Sequence, residues 1–128
     1  MKNLKNSFAF LGLLTFMVFM AAACRKAPTG VTITSDASTI SVADGGVTFT
    51  ADVEGDFSWL QWYVKRPSDS EAVESTGGVL DMYYLGTDAG PGQYVVYAEA
   101  RNCSGNKDAT GDCKNKTKSN EITITVTP

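Results

Sequence analysis

Histidine is absent from the chain, which removes the usual general base near neutral pH and the commonest zinc ligand. Cysteine is limited to three residues, Cys24, Cys103 and Cys113. That odd count leaves one thiol without an internal partner if the protein is exported. No basic run offsets the acidic balance of 11 Lys and Arg against 14 Asp and Glu, a net charge of −3. A chain of that kind is a poor candidate for nucleic acid. Carboxylate pairs such as Asp52 with Glu54, or Asp69 with Glu71, fall in turns where solvated acids are the ordinary case. No catalytic constellation is visible, so enzyme chemistry of the common kinds is not expected, nor is a cofactor.

One apolar run is present, and it stands at the start. Lys2 and Lys5 precede Phe8 to Met20, an apolar stretch broken only by Gly12 and Thr15, and Ala21-Ala22-Ala23 leads into Cys24. This is the layout of an export signal. A transmembrane anchor is the alternative, although the run is short of the roughly 20 residues that span a hydrocarbon core. The Ala-Ala-Ala-Cys junction resembles a bacterial lipoprotein signal, departing from the usual pattern at Ala21, where a larger aliphatic residue is common. The resemblance implies removal of residues 1–23, acylation of Cys24 and attachment to a membrane through the acyl chains. Cys103 and Cys113 would then pair with each other, as an exported compartment permits. Without Lys2 and Lys5, nine basic residues face fourteen acidic ones, a net charge of −5. The bilayer attachment would therefore rest on the acyl group.

Residues 24–30 read as a short, mobile, lipidated tether containing Pro28 and Gly30. Residues 31–128 are enough for one domain and too few for two. They alternate between short strand patterns and turn signals, with no helical period. The expected strands are Val31–Ser35, Thr39–Val42, Gly46–Val53, Ser58–Lys65, Val79–Leu85, Gly92–Asn102 and Glu121–Thr127. Leu80, Met82 and Tyr84 share one face of the fifth. Arg66–Gly78 reads as a loop with an edge strand near Glu71–Val73, and Asn102–Asn120 as a long polar loop. In Ser58–Lys65, Ser58, Leu60, Trp62 and Val64 form the inward face and Trp59, Gln61, Tyr63 and Lys65 the outward one. An all-β fold of about seven strands in two packed antiparallel sheets is expected.

The order VTFTA (Val47–Ala51), WYVK (Trp62–Lys65), GQYVV (Gly92–Val96) and SNEITITV (Ser119–Val126) resembles an immunoglobulin-like module, and more closely the Ig-like and PKD-like repeats of bacterial envelope proteins. In the antibody form a disulfide joins the second and sixth strands over the tryptophan. Ala51 and Val96 stand at those two places, so the resemblance implies an apolar contact there. It also implies a tyrosine corner at Tyr94.

In that topology the Trp59 and Tyr97 strands lie side by side, which would put Trp59, Tyr63 and Tyr97 in a strip facing water. Gln61, Glu99 and Arg101 would supply hydrogen bonds to a partner. Two plainer readings stand beside this one: cross-strand aromatic pairs that stabilise the sheet, or a 66–78 loop lying over them. A calcium site in the Cys103–Cys113 loop is weakened by the spacing of Asp108 and Asp112 and by the shortage of acids, so no metal is expected. The function expected is a non-enzymatic, envelope-anchored Ig-like domain that recognises a protein or glycan partner. The alternative is a purely structural module of an envelope assembly. For a cell with two membranes, the lipoprotein resemblance implies the outer one, with Arg25-Lys26 leaning toward its periplasmic face.

Overall fold

The structure is a computed structural model that describes residues 25–128 apart from Gly105. The expected signal segment and Cys24 lie outside the described residues. Among the described residues nine strands form two sheets: β1 (Gly30–Ser35), β2 (Thr39–Ser41), β3 (Gly46–Glu54), β4 (Trp59–Lys65), β5 (Val73–Gly78), β6 (Met82–Gly86), β7 (Gly92–Arg101), β8 (Lys116–Lys118) and β9 (Ile122–Thr127). A 3-10 turn at Val42–Asp44 and a one-turn helix, α1 (Lys107–Thr110), are the other elements among the described residues. One sheet has the order β1-β3-β6, and the other β2-β9-β7-β4-β5 with β8 added along the end of β7.

Alternation builds the core between the sheets. β3 turns Val47, Phe49 and Ala51 inward, β4 turns Leu60, Trp62 and Val64, and β7 turns Tyr94, Val96, Ala98 and Ala100. Trp62 stacks on Tyr83 at 5.4 Å between ring centroids and meets Phe49 at 6.3 Å. Ala51 and Val96 are both buried. The Tyr94 hydroxyl donates to the Gly90 carbonyl at 2.7 Å, closing the turn that leads into its own strand.

Several expectations need correction. The sheets are not purely antiparallel, because β2 runs parallel to β9. The chain leaves β1, bonds β3 through Asp36 N–H to the Thr48 carbonyl at 3.1 Å, and two residues later accepts Thr125 N–H on the Ser38 carbonyl at 2.9 Å. It thus crosses from one sheet to the other within three residues. The 66–78 segment is not a loop to its end, since Val73–Gly78 pairs with β4 as an edge strand. The next strand begins at Met82 rather than Val79. Met82 and Tyr84 do share a face, but it is the outer one, because Tyr83 and Leu85 fill the core. The 102–120 loop contains α1 and β8. Finally, the 25–30 segment is hydrogen-bonded to the body rather than free: Asn102, Asn115 and Thr117 donate to the carbonyls of Lys26, Arg25 and Pro28.

Candidate functional site

The outer face of the larger sheet holds the residues singled out from the sequence, and the pairing of β4 with β7 does bring them together. Its rungs join Trp59 to Arg101, Gln61 to Glu99 and Tyr63 to Tyr97. What these side chains do there differs from the expectation. The Tyr63 and Tyr97 rings stack on each other at 4.7 Å and 12°. Lys118, on the strand that flanks β7 on the side away from β4, places its ammonium 4.1 Å from the Tyr97 ring centre. Trp59 packs directly on Gly77 of β5, where any Cβ would overlap the indole. Its Nε1 donates to Gln61 Oε1 at 3.1 Å, and Gln61 Nε2 donates to the Ser75 carbonyl at 2.9 Å.

Arg101 is the centre of this face and is only 1% exposed. Its Nε donates to Glu99 at 2.9 Å, Nη2 to the Tyr63 hydroxyl at 2.9 Å and Nη1 to the Asp108 carbonyl, with Glu74 3.7 Å away. Burial works to lower the pKa of the guanidinium, yet its bonds to Glu99 and Tyr63 outweigh this and leave it raised. The Tyr63 phenol is also raised, first by burial and then by Glu99. What covers Arg101 is the loop closed by the Cys103–Cys113 disulfide, Cα to Cα 5.7 Å. Asp108 pins that loop by accepting Cys103 N–H at 2.8 Å and the Ser58 hydroxyl at 2.5 Å.

Gln61 and Arg101, read from the sequence as groups offered to a partner, are therefore buried and bonded within the domain. The 66–78 segment carries β5 in the plane of the sheet, with Gly77 against Trp59 and Glu74 at the Tyr63 hydroxyl, and the stapled loop lies against Arg101. Cys103, Asp108 and Cys113 lie close enough to suggest a metal cluster. Both sulfurs are in the disulfide, however, and both Asp108 oxygens accept hydrogen bonds, so this group offers no set of free ligands.

A second surface was not legible as a site. β5 and β6 are each the last strand of their sheet, joined by the turn at Val79–Asp81. Along this open side Val79 is 72% exposed, Leu80 74%, Met82 58% and Tyr84 62%. A slot of about 50 Å³ runs in between the sheets here, lined by Leu60, Trp62, Thr76, Gly77, Gly78, Leu80 and Met82. Trp62 contributes the one buried side-chain donor, Nε1, that lacks a partner among the described residues. The signal was present in VLDMYYL (Val79–Leu85), which is apolar at both parities. A strand that is oily on both faces while one face is uncovered marks a surface that another body can cover.

No family model matches the chain and no curated protein is detectably similar to it, so its function has to be argued from these two surfaces.

Proposed function

We propose that the chain is a non-enzymatic, lipid-anchored, immunoglobulin-like module of the bacterial cell envelope that recognises a protein partner along its β5–β6 side. The Ig-like reading is supported by the switch of the chain between sheets after β1, the buried Trp62 and the Tyr94 corner. The anchored reading is supported by the sequence that precedes Arg25, with acylated Cys24 holding the domain to its membrane. The observation that carries recognition is the exposure of Val79, Leu80, Met82 and Tyr84 beside two sheet edges. Edges with free main-chain groups accept an added strand, and alternate side chains of that strand fit apolar recesses such as the slot.

A protein fits better than a glycan. Stacking on a sugar needs a free ring face, and Tyr97 has Tyr63 against it on one side and Lys118 over it from the other. Glu99 and Arg101 are engaged with each other. The structural alternative, a module packed into an envelope assembly without a ligand of its own, draws on the same open side.

The test is capture from detergent-solubilised envelope by the full-length protein, run beside a Leu80→Asp, Met82→Lys variant and a Tyr97→Ala variant. Specific protein capture by the wild type and by Tyr97→Ala, lost in the Leu80/Met82 variant, is expected. Capture lost only in Tyr97→Ala would return the site to the outer face of the larger sheet. Retention by both variants would exclude both surfaces.

A further inference from the structure

The segment that follows Cys24 is clamped to the domain. Asn115 Nδ2 donates to the Arg25 carbonyl at 3.0 Å, Asn102 Nδ2 to the Lys26 carbonyl at 2.9 Å and Thr117 Oγ1 to the Pro28 carbonyl at 2.5 Å. Thr29 N–H donates to the Glu54 carbonyl at 2.8 Å, and the Arg25 guanidinium reaches the Cys103 carbonyl at 3.3 Å. The residues that grip are themselves tied down. Asn102 N–H donates to the Asn115 carbonyl at 2.9 Å, and both asparagines flank the loop stapled by Cys103 and Cys113. Main chain is thus held from Arg25 onward, and Cys24 stands a single Cα step, about 3.8 Å, before it. An anchor on Cys24 would therefore join the chain next to a residue that is itself bonded to the body.

That point decides which end of the body lies next to the anchor. The same end of the sandwich carries the β3–β4 turn, the start of β4 at Trp59, the end of β7 at Arg101 and the stapled loop. Charge is unevenly placed despite the net negative total. The anchored end exposes Arg25, Lys26, Lys107 and Lys114 along with Glu54, Asp56 and Asp112. The opposite end, reached by β4 at Lys65 after six residues or about 20 Å, exposes Asp36, Asp44, Glu71 and Asp88 against Lys65, and also carries the half-buried Asp69 and Arg66.

Resting on the anchored reading above, we propose that this end is seated on the headgroups of the membrane that holds the anchor, with the sheets standing upright from it. The β5–β6 side then opens laterally. Gly78 pairs with Leu60, one residue from the start of β4, so Val79 and Leu80 belong to the membrane-proximal half. A partner on that side has to approach within about 20 Å of the bilayer, which selects a protein that is itself membrane-resident or lies on the membrane. A long flexible tether would impose no such choice.

The experiment uses the full-length acylated protein in vesicles of phosphatidylethanolamine and phosphatidylglycerol. A short amine-to-amine cross-linker is added, and adducts between lysines and the ethanolamine headgroup are mapped by mass spectrometry. Lys65 at the far end is the internal reference. Adducts at Lys26, Lys107 and Lys114 about tenfold more frequent than at Lys65 are expected, since fixed proximity raises effective concentration. An Asn102→Ala, Asn115→Ala, Thr117→Ala variant, checked for an unchanged fold by circular dichroism, should even out the pattern. Even labelling of a wild type that floats with the vesicles overturns the seated orientation and leaves the anchor standing. A wild type that does not float with them, or that carries no acyl group on Cys24, overturns the anchored reading and the orientation with it.

Discussion

The outer face of the larger sheet and the β5–β6 side both display large side chains, and they are built in opposite ways. On the sheet face Arg101 bonds to Glu99 and Tyr63, Tyr63 stacks on Tyr97, Gln61 bonds to Trp59 and the Ser75 carbonyl, and a stapled loop closes over Arg101. On the β5–β6 side Val79, Leu80, Met82 and Tyr84 stand in water next to strand edges that end their sheets. Residue type alone favours the first as a binding surface, since Tyr, Trp and Arg are the usual hot-spot residues. Partner bookkeeping reverses the choice. A group already bonded and stacked gains little from a ligand, whereas an exposed apolar side chain gains the area a ligand removes from water.

The sharpest way to break this comparison is at Arg101. If the sheet face is an internal structure, Arg101→Ala strands Glu99 and leaves the Tyr63 hydroxyl and the Asp108 carbonyl without their donor. A loss of about 3 to 5 kcal/mol is expected in urea unfolding, the usual cost of removing one member of a buried ion pair. A change under about 1 kcal/mol would show that the cluster is a surface ornament, and the aromatic face would again be available to a partner.

The stapled loop gives the next largest effect. Cys103→Ser with Cys113→Ser opens a loop of sequence separation 10, and the chain-entropy model assigns such a closure about 3 kcal/mol. Hydrogen exchange should show where the loss lands. Cys103 N–H, held by Asp108, should exchange faster, while the amides of β5 and β6 remain as they were. Acceleration across β5 and β6 as well would mean that the two surfaces are one cooperative unit.

A smaller effect comes from ionisation. The Tyr63 and Tyr94 phenols are raised above their ordinary value, both chiefly by burial. A raised folded pKa means that the folded state keeps its proton while the unfolded chain has lost it. The corresponding stability is therefore complete below pH 10 and declines as the pH climbs through the folded values. Unfolding midpoints in urea should fall across that alkaline range, and Tyr63→Phe should flatten part of the fall. An unchanged slope in Tyr63→Phe would mean that this phenol does not feel the cluster.

How much of this was legible follows from what each residue's pattern encodes. Alternation in β4 specified its inward face, because a period of two allows only one register against a core. It placed Leu60, Trp62 and Val64 correctly, while the pairing of Tyr63 with Tyr97 followed from the strand order that the immunoglobulin-like resemblance implies. The same alternation was ambiguous in VLDMYYL, where both parities are apolar. Only the stacking of Tyr83 on Trp62 shows which one faces the core. The burial of Arg101 was not readable either. It depends on a loop that returns across the sheet, and neither composition nor spacing says where a polar loop comes to rest. The clamp on residues 25–29 is hidden for a similar reason: Asn102, Asn115 and Thr117 look like ordinary loop residues until the two distant segments meet.

The smallest expected effect on stability is also the one that separates the surfaces most cleanly. Val79→Ser and Tyr84→Thr alter side chains that are 72% and 62% exposed, and each should change the stability read from thermal unfolding by no more than about 0.5 kcal/mol. Leu80 and Met82 also border the slot that reaches Leu60 and Trp62, so their replacement tests something further. If Leu80→Asp with Met82→Lys costs as little as the outer pair, the slot is a recess in a finished core, and loss of partner capture by that variant belongs to recognition. If it costs about 2 kcal/mol or more, these side chains are the lid of the core between the sheets. Their exposure is then the incomplete closure of a sandwich on its open side, and the argument for a docking edge loses its main support.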